Sequence, residues 1–242
     1  MRSLAVFSVK GGVGKTALAV NLAHASASLS KRRTLLWDLD AQGAATWTLR
    51  LSPSPRASAR KGISAGELLP LVQATDFPGL DVLAADKSLR NLEKQLADDD
   101  RAKRLKKLLK GLDTAYDRIV LDCPPGLTEL ADQVFRAVDL LVVPMLPSPL
   151  SGRAYEQLVE HLGHLKDAPR VLPVFTMVDR RKSLHRNTIL GCPDRPAIPY
   201  AAAIEDTATS RLPVIAKNPS SAAARALASL WTDVERALLA VK

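Results

Sequence analysis

Ser8-Val9-Lys10-Gly11-Gly12-Val13-Gly14-Lys15-Thr16 follows the apolar run Leu4-Ala5-Val6-Phe7 and leads into the helix-spaced segment Ala17-Leu18-Ala19-Val20-Asn21-Leu22-Ala23. A strand, a loop with three glycines and then a helix is the context in which a phosphate-binding loop is meaningful. The glycines carry no Cβ, so the backbone can turn tightly and point consecutive amides at phosphate oxygens at the start of the helix. Lys15 is placed to reach the β- and γ-phosphates, and the Thr16 hydroxyl to hold Mg²⁺. Gly11, Gly12, Val13, Gly14, Lys15, Thr16 and Ala17 are therefore the candidate nucleotide contacts.

Outward from this loop the chain reads as alternating strands and helices. Thr34-Leu35-Leu36-Trp37-Asp38-Leu39-Asp40 is a short apolar run after a helical segment, the pattern of a buried parallel strand, with carboxylates at the end where ligands bind in such sheets. Asp117-Arg118-Ile119-Val120-Leu121-Asp122-Cys123-Pro124-Pro125-Gly126 repeats the arrangement and ends in a tight turn. Further strands are expected at Leu80–Ala84, Val138–Pro144 and Val171–Met177, with helices at 64–69, 88–112, 153–165 and from about Pro219, capped by Ser220, to Val241. The alternation predicts an α/β fold of three layers, a mostly parallel twisted sheet with helices on both faces, in one domain spanning 1–242. Residues 51–62 are rich in Ser, Pro and Arg without hydrophobic periodicity and read as a mobile surface loop.

The chain has 242 residues, 47% hydrophobic and 24% charged, ordinary for a globular protein with a substantial core. Its 34 basic against 25 acidic residues give +9, which favours an anionic partner such as DNA or a membrane surface. No signal peptide precedes the first strand and no apolar run approaches the roughly 18 residues of a membrane span, so a cytoplasmic location is expected. Cys123 and Cys192 have no metal or disulfide spacing and read as packing or loop residues. His161 and His164 could share a helix face but lack further ligands nearby. Lys103, Lys106, Lys107 and Lys110 form a stripe that is either a solvated face or a DNA contact.

Lys-Gly-Gly-Val-Gly-Lys-Thr, with Lys10 just ahead of the glycine pair, resembles the deviant Walker A motif of the ParA/MinD family of ATPases. The resemblance implies a P-loop NTPase fold, ATP and Mg²⁺ as ligands, and a homodimer formed on ATP in which Lys10 reaches across to the partner's nucleotide. Asp38-Leu39-Asp40-Ala41-Gln42-Gly43-Ala44 looks like the family's switch segment, giving Asp40 the attacking water; Ala41 and Ala44 replace the usual Pro and Asn. The stretch ending in Asp122 looks like its Walker B segment, giving Asp122 the metal and Gly126 a γ-phosphate contact. Pro147-Ser148-Pro149-Leu150 is similar to a dimer-face segment, with Ser151 where Asp is usual. Met177 and Pro199 fall where the family flanks the adenine. Where relatives carry arginines credited with DNA contact, this chain has Tyr200 and Ala203, so DNA binding is assigned to Arg180, Arg181, Lys182, Arg186, Arg211 and Lys217, with His185 in the same patch. The implied function is a ParA-type ATPase that binds nonspecific DNA such as the nucleoid and positions a cargo through hydrolysis stimulated by a ParB-like or adaptor partner. The competing reading is a MinD-like membrane ATPase; the last helix would then bind lipid, but Asp233 and Glu235 interrupt its polar face and its periodicity suits docking on the sheet.

Overall fold

In a computed structural model, residues 1–52, 66–85 and 104–241 are described. The elements run β1 (Arg2–Val6), α1 (Lys15–Leu29), β2 (Thr34–Asp38), α2 (Ala44–Thr48), a 3₁₀ turn (Leu69–Leu71), β3 (Val72–Ala74), β4 (Leu80–Leu83), α3 (Arg104–Lys110) and β5 (Arg118–Asp122). They continue as α4 (Glu129–Ala137), β6 (Leu140–Met145), α5 (Pro149–Gly163), β7 (Arg170–Val178), α6 (Ser183–Leu190), β8 (Ala197–Pro199), α7 (Ala202–Glu205), α8 (Thr207–Ser210), α9 (Val214–Lys217) and α10 (Ala222–Leu239).

One eight-stranded sheet, ordered β3-β4-β2-β5-β1-β6-β7-β8, carries the molecule. All pairings are parallel except the edge pair β3/β4. Strand alternation divides the core into two layers. Leu4, Val6, Leu36 and Val120 pack beneath α1 and α10, while Ala5, Phe7, Leu35, Trp37 and Leu121 pack beneath α3, α4 and α5. This is the three-layer α/β fold expected from the strand and helix order.

Helix α1 is buried on nearly every side, from Leu18 to Ala27. Its alanines at 19, 23, 25 and 27 let it lie close to the sheet while α10 covers it. The apolar face of α10, with Leu227, Leu230, Trp231, Val234 and Leu238 each at most 2% exposed, closes that layer. Trp231 Nε1 donates to Ser30 Oγ at 2.7 Å, and Arg118 grips Glu235 through two bonds of 2.7 and 3.1 Å. The last helix is thus a core element. Its cap is Ser221, whose hydroxyl accepts from the Ala224 amide, one residue beyond the expected Ser220.

Two expectations need correction. The helix expected at 64–69 is absent over its described residues 66–68: Gly66 takes φ 79, outside the helical region, and a 3₁₀ turn begins only at Leu69. Helix α5 begins at Pro149, four residues early, because Ser148 accepts the Ser151 amide and the Ser148 hydroxyl donates to Ser151 Oγ at 3.2 Å. Ser151 therefore completes a helix start. The loop expected at 51–62 lies outside the described residues from 53 on, as does the expected 88–112 helix up to residue 103; α3 carries its apolar side, with Leu105, Leu108 and Leu109 buried and Lys106, Lys107 and Lys110 exposed.

Candidate nucleotide site

Sheet register builds the site. Val6 of β1 pairs with Asp122 of β5, and Asp122 pairs with Asp38 of β2, so the glycine loop and both strand-end acids leave the sheet side by side. The loop then turns through Gly12 (φ 72) and Gly14 (φ 85), left-handed positions that strain any side chain. A Cβ on Gly11 or Gly12 would meet nothing within 4 Å, so the concave side of the loop is open. Gly14 caps α1 without any side chain, leaving the first amides of a 15-residue helix to an outside acceptor.

Lys15 is buried and donates to the Lys10 carbonyl at 3.2 Å. Burial pulls its pKa down, while the charges of Asp122 and Asp40 push it up. Lys10, the other lysine of the loop, is half-buried beside Met145, Ser151 and Tyr155, and makes no ion pair among the described residues.

Asp122 is fully buried, and neither of its carboxylate oxygens has a hydrogen-bond partner of good geometry. Burial and the charges of Asp38 and Asp40 hold its carboxyl well above the ordinary range; the nearby Thr16 hydroxyl and Lys15 act in the opposite direction. Such an orphaned carboxylate is costly unless something outside the chain satisfies it. With the Thr16 hydroxyl next to it and an open amide cradle beside it, the donor set fits Mg²⁺ with a polyphosphate. Cys123 lies alongside, its thiol pushed well up by burial and by Asp122, which keeps it protonated and inert.

Asp38 is handled differently. Its carboxylate accepts the Thr46 amide and hydroxyl at 2.8 Å each and the Asp40 amide at 3.2 Å, and burial raises its pKa to about 6. Thr46 also accepts the Ala85 amide at 2.9 Å. Asp40, half-buried at the loop's edge, accepts the Gln42 amide at 2.9 Å. The acid pair therefore divides into a structural clamp and a group facing the site.

Met177 and Pro199 meet at the flank of the loop. Met177 holds φ 53 at a bulge where β7 shifts register against β8, and its Cε lies 3.8 Å from where a Gly14 Cβ would sit. With Val13, Ala17, Ile198 and Tyr200 these residues line an apolar cavity of about 200 Å³, suited to a planar base. Gly126 (φ 97) lies in the turn after β5.

Three supporting residues escaped the sequence reading. The buried Thr176 hydroxyl donates to the Val13 carbonyl at 2.9 Å, tying the loop to β7. Buried Asn21 holds α1 to α9 by accepting the Val214 amide at 2.7 Å. Both are lone polar residues in apolar segments, which was the available clue. Thr46 offered none.

The six cations assigned to DNA fall into two groups. Arg180, Arg181, Lys182 and Arg186 are exposed on the segment after β7 and on α6. Of these, Arg181 clasps Asp179 at 2.9 and 3.0 Å, and Arg186 donates to the carbonyls of Arg180 and Arg181. Arg211 and Lys217 lie beside α2 and on α9, Arg211 against Trp47 and Lys217 paired with Asp206. His185 is tied to the start of the segment, its Nδ1 accepting the Asp179 amide at 3.1 Å. His161 binds Asp132 at 2.6 Å, bridging α5 to α4.

Residues 1–172 match the family described as AAA domain. The chromosome partitioning protein ParA of Caulobacter vibrioides is 34% identical over 195 residues, covering 76% of this chain and 72% of its own length. In fold the chain is similar to a variant of Cyanothece McdA in an ATP complex, with TM-score 0.84 and 20% identity over 100% and 97% of the two chains. It is also similar to cobyrinic acid a,c-diamide synthase from Mycobacterium smegmatis with bound ADP and magnesium, with TM-score 0.81 and 25% identity over 100% and 97%. A match across the whole loop-bearing half, and a partitioning relative covered over most of its length, place the chain in the ParA/MinD family of P-loop ATPases.

Proposed function

We propose that this chain is a ParA-type ATPase that dimerises on ATP with Mg²⁺, binds nonspecific duplex DNA in that state, and positions or segregates a cargo as a ParB-like or adaptor partner stimulates hydrolysis. The observation that carries the reading is the division of labour between the loop's two lysines: Lys15 turned inward among the acids, Lys10 beside it without an ion pair among the described residues. A lysine in that place suits delivery to a second subunit's nucleotide. The ATP and the ADP with magnesium held by two structural neighbours support the same ligands here.

Bound Mg²⁺ supplies charge neutralisation on the phosphates, and Thr16 and Asp122 are the residues to hold it. The other tasks fall to the chain. The loop amides and Lys15 bind and orient the phosphates, Gly126 contributes a backbone amide, and Met177 and Pro199 enclose the base. Asp40 orients the attacking water. Lys10 brings a cation to the partner's site, an effect worth roughly 10³ to 10⁵ in rate for the equivalent arginine of related NTPases. Turnover is then slow until a partner orders the switch, and the protein resides in the cytoplasm on the nucleoid. Burial of the apolar face of α10 speaks against a lipid-binding last helix.

Binding to nonspecific duplex DNA with ATP, with ADP and without nucleotide, across a salt series, tests the reading in wild type and Lys10→Ala. The expected result is binding that needs ATP, is lost in Lys10→Ala and weakens steeply with salt. DNA ignored in every state by a protein that still dimerises on ATP would move the matrix to a membrane or protein surface. Asp40→Ala is expected to keep ATP binding and dimerisation while losing hydrolysis; unchanged turnover would sink its role.

A further inference from the structure

Two of the cations assigned to DNA are held by the protein itself, beside the switch. Arg211 ends α8 in the left-handed region (φ 54, ψ 42), a common geometry at a helix C-terminus. Its guanidinium lies 4.1 Å over the Trp47 ring, and its Nε donates to the Trp47 carbonyl at 2.7 Å. Nearby in the chain, Lys217 is paired with Asp206. Trp47 is 58% exposed, so the ring is not a core residue; one side of it covers a cation.

Trp47 is connected to the nucleotide site by two backbone bonds. The Asp40 carbonyl accepts the Gly43 amide at 2.8 Å, and the Gly43 carbonyl accepts the Trp47 amide at 2.9 Å. The preceding residue, Thr46, is pinned to Asp38 and Ala85. Helix α2 is thus a single short turn fastened to the strand-end acids on its inner side and holding Arg211 on its outer side. Contiguous contacts therefore join Asp38–Asp40 to Trp47.

We propose that Arg211, with Lys217 nearby in the chain, belongs to a polyanion-binding surface, that Trp47 masks Arg211 in the nucleotide-free protein, and that rearrangement of Asp40–Thr48 on ATP binding uncovers it. The inference rests on the DNA reading above and gives it a switch. Duplex phosphate is the partner chemistry: a planar guanidinium and an ammonium on neighbouring elements suit a charged backbone and require no base edge.

The test measures binding of the full chain to nonspecific duplex DNA, with and without ATP, for wild type, Trp47→Ala, Trp47→Phe, Arg211→Ala and the Trp47→Ala/Arg211→Ala double variant. Trp47→Ala is expected to raise nucleotide-free affinity about two- to fivefold, the factor of one exposed cation–π contact. Trp47→Phe keeps a ring and should stay near wild type. Arg211→Ala should weaken the ATP state, flatten the salt slope by about 1, and cancel the gain in the double variant. Because Trp37 and Trp231 are buried, iodide quenching reports Trp47, and it should increase on ATP. If wild type binds DNA with ATP but Trp47→Ala leaves nucleotide-free binding unchanged and Arg211→Ala leaves the slope unchanged, the mask is overturned and the DNA reading stands. If wild type ignores DNA in every state, the DNA reading fails and the surface with it.

Discussion

Strands β5 and β7 both run into an aspartate, and the protein treats the two in opposite ways. Asp122 is fully buried, neither oxygen has a hydrogen-bond partner of good geometry, and burial with Asp38 and Asp40 holds its carboxyl well above the ordinary range against the opposing effect of Thr16 and Lys15. Asp179, two residues before Arg181, takes that residue's guanidinium and amide, which bring its pKa down to about 2. Charge settled within one turn of chain shapes a loop. Charge left unsettled in the core, at the ligand end of a parallel sheet, marks a candidate site.

The contrast is broken or upheld most strongly at Asp122. Asp122→Asn keeps the shape and removes the charge. On the proposed role of Asp122 in holding the metal, ATP hydrolysis with Mg²⁺ should fall by roughly 10²-fold or more. In the nucleotide-free protein at neutral pH the same change should raise stability by about 1–3 kcal/mol, because the buried carboxyl no longer has to gain a proton or lose its hydration on folding. Urea unfolding without nucleotide measures the second effect. A destabilised variant would mean that Lys15 or Thr16 already settles Asp122 internally.

His24 sharpens the contrast from another side, since burial without a charged partner does not by itself mark a site. It lies on α1 against Phe77, ring centroids 5.0 Å apart, and burial lowers its pKa to about 4. It escapes the cost by losing its proton, whereas Asp122 is ringed by other charged groups. The unfolded chain takes up a proton below about 6.5 and the folded protein does not. The stabilisation is complete above pH 6.5 and is lost as pH falls toward 4, by about 3 kcal/mol. Asp38, at about 6, acts in the opposite direction over much of that range, so the quantity to measure is the difference between wild type and His24→Leu. A difference that does not change from pH 7 to 4 would show His24 to be solvated.

What could be read in the sequence follows from how local each cause is. The glycine loop, Lys15, Thr16 and the strands ending in Asp38 and Asp122 were legible because each lies in one short segment whose composition matches its geometry. Thr176 on Val13 and Arg211 on Trp47 were not, because tertiary packing brings together residues 163 and 164 positions apart, and Thr46 on Asp38 was not, because it depends on the path of the loop between β2 and α2. Composition counts every Lys and Arg of the basic patch alike, but Asp179 holds Arg181 as its ion pair and donates its amide to His185. Cap positions slipped by a residue where two serines adjoin, as at Ser220 and Ser221.

The smallest expected effect lies within that patch and bears directly on the rule drawn from the two aspartates. Arg180 makes no ion pair among the described residues, whereas Arg181 is held by Asp179. If both stand near DNA phosphates, Arg180→Ala should reduce the slope of log affinity against log salt by about 0.9, the release of one counterion. Arg181→Ala should reduce it by clearly less, because a guanidinium already neutralised by a neighbour displaces less of the counterion atmosphere. Equal reductions would mean that the Asp179–Arg181 pair opens on the duplex. Neutralisation in the isolated chain would then be a poor guide to which cations bind, and Arg211 and Lys217, also held internally, would have to be judged by their reach and not by their present partners.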